Sequence, residues 1–203
     1  FVTLADSGID SPDDFLGRVA AIGGTPSEIE FQAMLTRLGM DIDQVDIVPN
    51  IYDYSTFYAG EVDIVQTYST SGLIRIRQAG YEVNLIWPGD YGIHMYADTL
   101  ITTDEMIAQN PELVERFLRA TLRGWNKAIE DTDAAIAATM EYALEADIET
   151  QTQMMDASVP LIHTGEDQIG WMRAEVWQGM RDILLEQGIL DEPVDLDTVY
   201  TME

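Results

Sequence analysis

The chain has 203 residues, 46 % of them hydrophobic and 23 % charged, and it contains no cysteine. That is the composition of a folded chain with room for a sizeable core, and it excludes disulfides, thiolate nucleophiles and cysteine-ligated zinc. Ten Lys and Arg face 37 Asp and Glu, a formal net charge of −27, so nucleic acid, which proteins hold mainly through cationic contacts to phosphate, is not an expected partner.

The acid excess reads first as a strongly solvated surface suited to a salty or otherwise demanding medium. Phe1 to Leu4 is too short for a signal-peptide core or a membrane span. The start reads as a boundary inside a longer protein.

In chain order, Ser11-Pro12-Asp13-Asp14 is a helix start, with Ser as cap, Pro at the first position and acids in the first turn, and it can run only to Gly17. Arg18 to Ile22 reads as a short buried strand, broken by Gly23-Gly24-Thr25-Pro26. From Ser27 the spacing of Ile29, Ala33, Met34 and Leu38 predicts a helix that Gly39 ends. Val45 to Val48 is a second strand, Tyr52 to Ala59 a turn and short helix, and Val62 to Val65 a third strand. Leu73 to Ala79 is a helix stopped by Gly80, and Val83 to Trp87 a fourth strand broken by Pro88-Gly89. Short, nearly all-apolar strands alternating with helices predict a parallel sheet covered on both faces.

Thr99 to Thr102 is a fifth strand candidate, after which helical periodicity takes over. Asn110-Pro111-Glu112 caps a long helix carrying Leu113, Val114, Phe117, Leu118, Leu122, Trp125 and Ile129 on one face. Ala134 to Leu144, Ile148 to Ser158 and Ile169 to Gln187 are further helices, the last ended by Gly188. The boundary between the two characters falls near residues 99–110.

In an open parallel sheet, ligands bind outside the carboxyl ends of the strands. Four loops should therefore converge: Gly23 to Glu28, Pro49 to Tyr52, Gln66 to Ser71, and Pro88 to Gly92. They are rich in glycine, hydroxyls and tyrosine, which suits a small polar or aromatic ligand, although the same residues also simply make turns. Gly24, Thr25, Ser27, Glu28, Asn50, Tyr52, Tyr68, Ser69, Asp90 and Tyr91 are the candidate ligand contacts. Ser27 and the backbone N–H groups beside it would hold an acceptor at a helix start, and Tyr52, Tyr68 or Tyr91 would stack on a planar ligand. No Walker loop or dinucleotide fingerprint is present. His94 and His163 are the only histidines and fall in no metal-binding spacing, so no catalytic residue, metal ligand or cofactor is assigned. The methionines and Trp125, Trp171 and Trp177 fall at core spacing.

Ser7-Gly8-Ile9-Asp10-Ser11-Pro12-Asp13-Asp14-Phe15-Leu16-Gly17-Arg18-Val19 resembles the entry to the second lobe in substrate-binding proteins of the NMT1/THI5-like family. The continuation Phe57-Tyr58-Ala59-Gly60-Glu61-Val62-Asp63-Ile64 does so too, and Asn110 to Val114 with Phe117, Leu118, Gly124 and Trp125 is similar to the long helix that follows that lobe. Asp90-Tyr91-Gly92 through Tyr96 to Leu100 is similar to the branch that binds thiamine-pyrimidine precursors. The resemblance covers nearly the whole chain. It implies an α/β fold of the type II periplasmic-binding kind, here the second lobe over residues 12–98 and the hinge return with the mainly helical part of the first lobe over 99–203, the opening segment of the first lobe being absent. Crossings near residues 4–10 and 97–103 would be the hinges.

The resemblance further implies a periplasmic or extracellular receptor, lipid-anchored through a missing N-terminus, that passes a small solute to ABC permease subunits and makes no membrane insertion of its own. The expected ligand is pyrimidine-like or a related nitrogenous or sulfonated solute. Where many members carry a Glu after the third strand, this chain reads Tyr68-Ser69-Thr70-Ser71-Gly72, so a ligand amine would pair instead with Glu28 or Asp90. Two other readings compete with this one. A pyrimidine-phosphate synthase like the family's eukaryotic members uses a cysteine-rich motif that this chain lacks, and a ligand-sensing domain of a signalling protein would share the fold. The expectation is a binding protein, not an enzyme.

Overall fold

The computed structural model describes residues 1–143 and 146–202. Two compact units emerge: Phe1–Met95 with Arg173–Glu203, and Tyr96–Met172.

The first unit is built on one five-stranded sheet. Its strands are β1 (Val2–Leu4), β2 (Val19–Gly23), β3 (Asp46–Pro49), β4 (Ile64–Val65) and β5 (Val83–Leu85), in the spatial order β3-β2-β4-β1-β5. β2 pairs parallel with β3 and β4, while β1 pairs antiparallel with both β4 and β5. Four strands therefore point one way, and β1 is a reversed insert between two of them. The sequence reading gave the four co-directional strands and missed β1, whose three residues carry no turn signal before them. Tertiary pairing makes it a strand: Val2 lies opposite Val65 on one side and Leu85 on the other.

Successive side chains of a strand point to opposite faces, and β2 divides accordingly. Ala20 and Ile22 join a core with Phe15, Phe31, Met34, Leu35 and Ile64; Ala21 joins a second core with Val65, Phe57, Leu73 and Ile76. The first core is covered by α1 (Pro26–Arg37), with Phe15 stacked on Phe31 at 5.3 Å between ring centroids, and by Ile183 of α8 (Ala174–Glu186). The second is covered by α2 (Ser55–Tyr58) and α3 (Gly72–Gln78). The start of β2 is tied to the segment before β4, because Asp63 accepts from the Val19 N–H at 2.9 Å and lies 3.6 Å from the Arg18 guanidinium. The fully buried Thr3 hydroxyl donates to the Ile9 carbonyl, which also accepts from the Asn84 side chain, so the pair Thr3 and Asn84 pins the 8–10 segment to the sheet.

The second unit is helical: α4 (Asp104–Gln109), α5 (Pro111–Glu130), α6 (Thr132–Met140) and α7 (Ile148–Ile162). In α4, α6 and α7 the capping side chain accepts from one of the free N-terminal amides, while α5 starts on Pro111 with no side-chain cap bond. Thr103 accepts from Met106 N–H, Asp131 from Ala134 N–H and Asp147 from Thr150 N–H. The expected strand at 99–102 does not form. Thr-Leu-Ile-Thr has strand propensity, but no neighbouring strand pairs with it among the described residues, and Ile101 is 90 % exposed. Helix α4 was not anticipated. The last long helix begins at Ala174 rather than 169, leaving Trp171 and Met172 ahead of it. Leu144, the expected end of α6, lies outside the described residues. Among the described residues no helix is long and apolar enough to cross a membrane.

Candidate functional site

Because β2, β3, β4 and β5 are co-directional, their carboxyl ends share one edge of the sheet, and the reversed β1 brings Phe1 to the same edge. The order along that edge follows the strand order: residues 50–52, 23–28, 66–71, Phe1, then 86 onward.

At the end of β2 the chain must pass very close to β3. A Cβ on Gly23 would stand 2.9 Å from the Val48 carbonyl oxygen, and the Gly23 carbonyl accepts from Asn50 N–H at 3.1 Å. Gly24 then takes a left-handed φ of +78°, a conformation that favours glycine. Its N–H donates to Glu28 Oε2 at 2.8 Å, and the Thr25 hydroxyl donates back to the Ile22 carbonyl at 2.7 Å. Pro26 opens α1, with Ser27 and Glu28 half-buried in its first turn. Gly24, Thr25, Ser27, Glu28 and Asn50 are thus brought to adjacent strand ends. Asn50 Oδ1 is buried and has no hydrogen-bond partner.

Tyr52 stands 83 % exposed beyond Asn50, and Tyr68 is 57 % exposed beyond β4. Both rings are available to a planar ligand. Ser69 lines a small cavity at this edge with Phe1, Thr67, Leu85 and Trp87. Thr67 is held by a 2.9 Å hydrogen bond between its hydroxyl and that of Tyr54. Thr67 and Trp87 were not among the residues picked from sequence. The strand-end rule would have found Trp87 had β5 been ended at Leu85, where its ladder stops.

Asp90 and Tyr91 sit elsewhere. Residues 88–91 form a short 3-10 turn, and the Gly92 carbonyl accepts from the Arg37 guanidinium. Arg37 is the last residue of α1, which has 12 residues, so its backbone lies about 16 Å along the axis from the first residue at 1.5 Å per residue, and the loop is bonded to the side chain of the helix's far end. Tyr91 packs against the first core. The fourth loop leaves the edge and folds back beside α1, because the core contacts of Tyr91 and Ile93 and the Arg37 bond outweigh the direction in which β5 ends.

With this geometry established, comparison with known proteins gives the chain its family. The family described as NMT1/THI5 like matches residues 1–135. The chain belongs to the NMT1/THI5-like family. Among curated members, the riboflavin-binding protein RibY of Chloroflexus aurantiacus is 26 % identical over all of this chain and 60 % of its own length. The formylaminopyrimidine-binding protein of Halalkalibacterium halodurans is 23 % identical over 98 % of this chain and 62 % of its own. The chain thus spans about three-fifths of the length of these relatives. Among solved structures, the periplasmic aliphatic sulphonate binding protein SsuA from Escherichia coli superposes with a TM-score of 0.72 at 15 % identity, over 97 % of this chain and 62 % of that one. The fold is therefore the α/β, type II periplasmic-binding fold, as the family resemblance implied.

Proposed function

We propose that this NMT1/THI5-like chain is the solute-capturing part of an ABC-importer receptor, not an enzyme, and that it works outside the cytoplasmic membrane with permease subunits as its downstream partners. In this reading residues 12–98 act as the second lobe and the chain from 99 onward is the hinge return and helical part of the first, apart from Arg173–Glu203, which joins the same compact unit as Phe1–Met95. The observation that carries it is the single sheet edge on which glycine-rich, hydroxyl-rich and tyrosine-bearing loops end side by side. Relatives named for binding riboflavin and a formylaminopyrimidine support a small, planar, nitrogenous solute.

Stacking on Tyr52 or Tyr68 buries a large flat face at low entropic cost. Ser69 lines the cavity at this edge, and the buried, unpartnered Asn50 Oδ1 is open to a donor of the solute. The cavity at this edge is only about 20 Å³, roughly one water's room, against roughly 300–1,000 Å³ for small-molecule pockets. The edge is accordingly one wall of the site, and in the two-lobed plan a facing lobe closes over it. Titration calorimetry with riboflavin, a formylaminopyrimidine and an alkanesulfonate tests the reading. Saturable binding of at least one, weakened tenfold or more in Tyr68→Ala, is expected; no binding of any of the three would overturn it.

A further inference from the structure

The loop that opens α1 carries its own anion. A helix N-terminus preceded by a left-handed glycine is ordinarily a place where a sulfonate, phosphate or carboxylate docks on free backbone donors. Here the Gly24 N–H already donates to Glu28 Oε2 at 2.8 Å, and the group that fills the position is itself negative. An incoming anion would have to displace that carboxylate and then lie beside it.

The neighbouring strand end presents the complementary need. Asn50 Oδ1 is buried without a hydrogen-bond partner, and an acceptor is satisfied only by a donor. Its backbone N–H is already committed to the Gly23 carbonyl; the side-chain amide carries Nδ2 donors as well, and Oδ1 is the group left buried and unmet. The edge segments 23–28, 49–52 and 66–71 contain no Lys, Arg or His. No cation in them balances an anionic ligand, and desolvating an unpaired charge is costly.

Building on the receptor reading above, we infer that Glu28 is a specificity-determining residue: it closes the start of α1 to anions and, with Asn50 Oδ1, selects a solute presenting amino or ring N–H donors over a sulfonate or carboxylate of similar size. This separates the nitrogenous from the sulfonated ligands that the sequence left together. One carboxylate oxygen of Glu28 is held by Gly24, and the other, Oε1, is the one a ligand N–H would meet.

The test is calorimetry on the full chain with three probes, a 4-aminopyrimidine, riboflavin and hexanesulfonate, using the parent, Glu28→Gln, Glu28→Ala and Asn50→Leu. Glu28→Gln keeps an oxygen able to accept from Gly24 N–H while removing the charge, so it guards against loss of fold; circular dichroism and melting confirm each variant. The parent is expected to bind at least one of the two nitrogenous probes at least a hundredfold more tightly than the sulfonate. Both Glu28 variants should narrow that ratio tenfold or more, with Glu28→Ala gaining sulfonate binding outright, and Asn50→Leu should weaken the nitrogenous probe alone. A parent that prefers the sulfonate, or a ratio unchanged within a factor of two in both folded Glu28 variants, overturns this inference and leaves the receptor reading intact. Failure of all three probes overturns the receptor reading and this inference with it.

Discussion

Two glycines show how much a single position can decide. A Cβ on Gly72 would stand 1.7 Å from Thr67 Oγ1 and 2.2 Å from the Tyr54 hydroxyl, the two atoms whose hydrogen bond fixes the loop after β4. Gly72→Ala must push that pair apart, and overpacking of this kind costs about 1–3 kcal/mol. Gly124, inside α5, has nothing within 4 Å of the same hypothetical atom, so Gly124→Ala should stabilise by about 0.5–1 kcal/mol through helix propensity. Urea unfolding of both variants checks the pair, and shifts of the same sign would contradict the packing described. Glu30, half-buried in α1, supplies a pH-dependent case. Burial pushes its carboxyl above the ordinary value of 4.5, with the charge on the Phe1 amine acting the other way. The folded state therefore holds this proton more tightly than the unfolded chain does. That contribution is fully present below 4.5 and is lost as pH rises through the higher folded value. Glu30→Gln cannot ionise, so it should be more stable than the parent at pH 7 and equal to it near pH 4; denaturant melts at the two pH values measure the difference. The candidate site was legible at this scale only in part. The strand-end rule reached Gly24, Glu28, Asn50 and Ser69, but it could not show that Glu28 spends an oxygen on Gly24, that Asn50 Oδ1 lacks a partner, or that Arg37 draws the Asp90 loop away. Those facts depend on side-chain contacts, and composition and spacing carry no record of them.

At the scale of elements, period and punctuation did most of the work. Gly39, Gly60, Gly80 and Gly188 all take left-handed φ values just beyond helices, where glycine is the residue without steric penalty, and the helices end where the sequence said they would. The apolar run at 19–22 gave β2 because both its faces are covered. The two misses among the strands have one cause. β1 exists and 99–102 stays outside any ladder for reasons of partnership, and a three- or four-residue apolar stretch reads the same with or without a neighbour to pair with. Helix α5 shows the opposite situation, a clear pattern without burial. Its apolar stripe was read correctly, yet no residue of the helix is buried; Phe117 is 63 % exposed, and Leu113, Leu118 and Trp125 are exposed as well. A contiguous apolar stripe of that kind drives association. Sedimentation velocity on the 203-residue chain should show self-association that rises with concentration. Phe117→Glu should shift it towards monomer while changing unfolding free energy by no more than about 0.5 kcal/mol, as befits a surface position. A monomeric parent, or a large loss of stability in the variant, would mean the stripe is covered within the chain.

The whole molecule is dominated by its charge. Ten cations cannot neutralise 37 acids, so at least 27 carboxylates have no one-to-one partner. Apart from Arg18 with Asp63, pairs such as Arg119 with Glu115 and Arg181 with Asp182 are local and at least partly exposed, and exposed pairs contribute about 0–1 kcal/mol each. What remains is long-range repulsion, which favours the expanded chain. Its reach is set by the Debye length, about 10 Å at 0.1 M salt and about 3 Å at 1 M, so added NaCl should shrink the repulsion to near neighbours. The melting temperature at pH 7 is therefore expected to rise between 10 mM and 1 M NaCl, by about 2–4 °C for each kcal/mol of repulsion relieved in a chain of this size. Salt also strengthens apolar burial in a way that does not depend on protein charge, and pH separates the two effects. Near pH 4 ordinary carboxylates are about half protonated, and the net charge falls steeply. If repulsion is the cause, the salt response should be much smaller there than at pH 7, whereas an apolar effect would persist unchanged. A melting temperature at pH 7 that ignores salt would show that the acids are spaced widely enough over the surface for water alone to screen them.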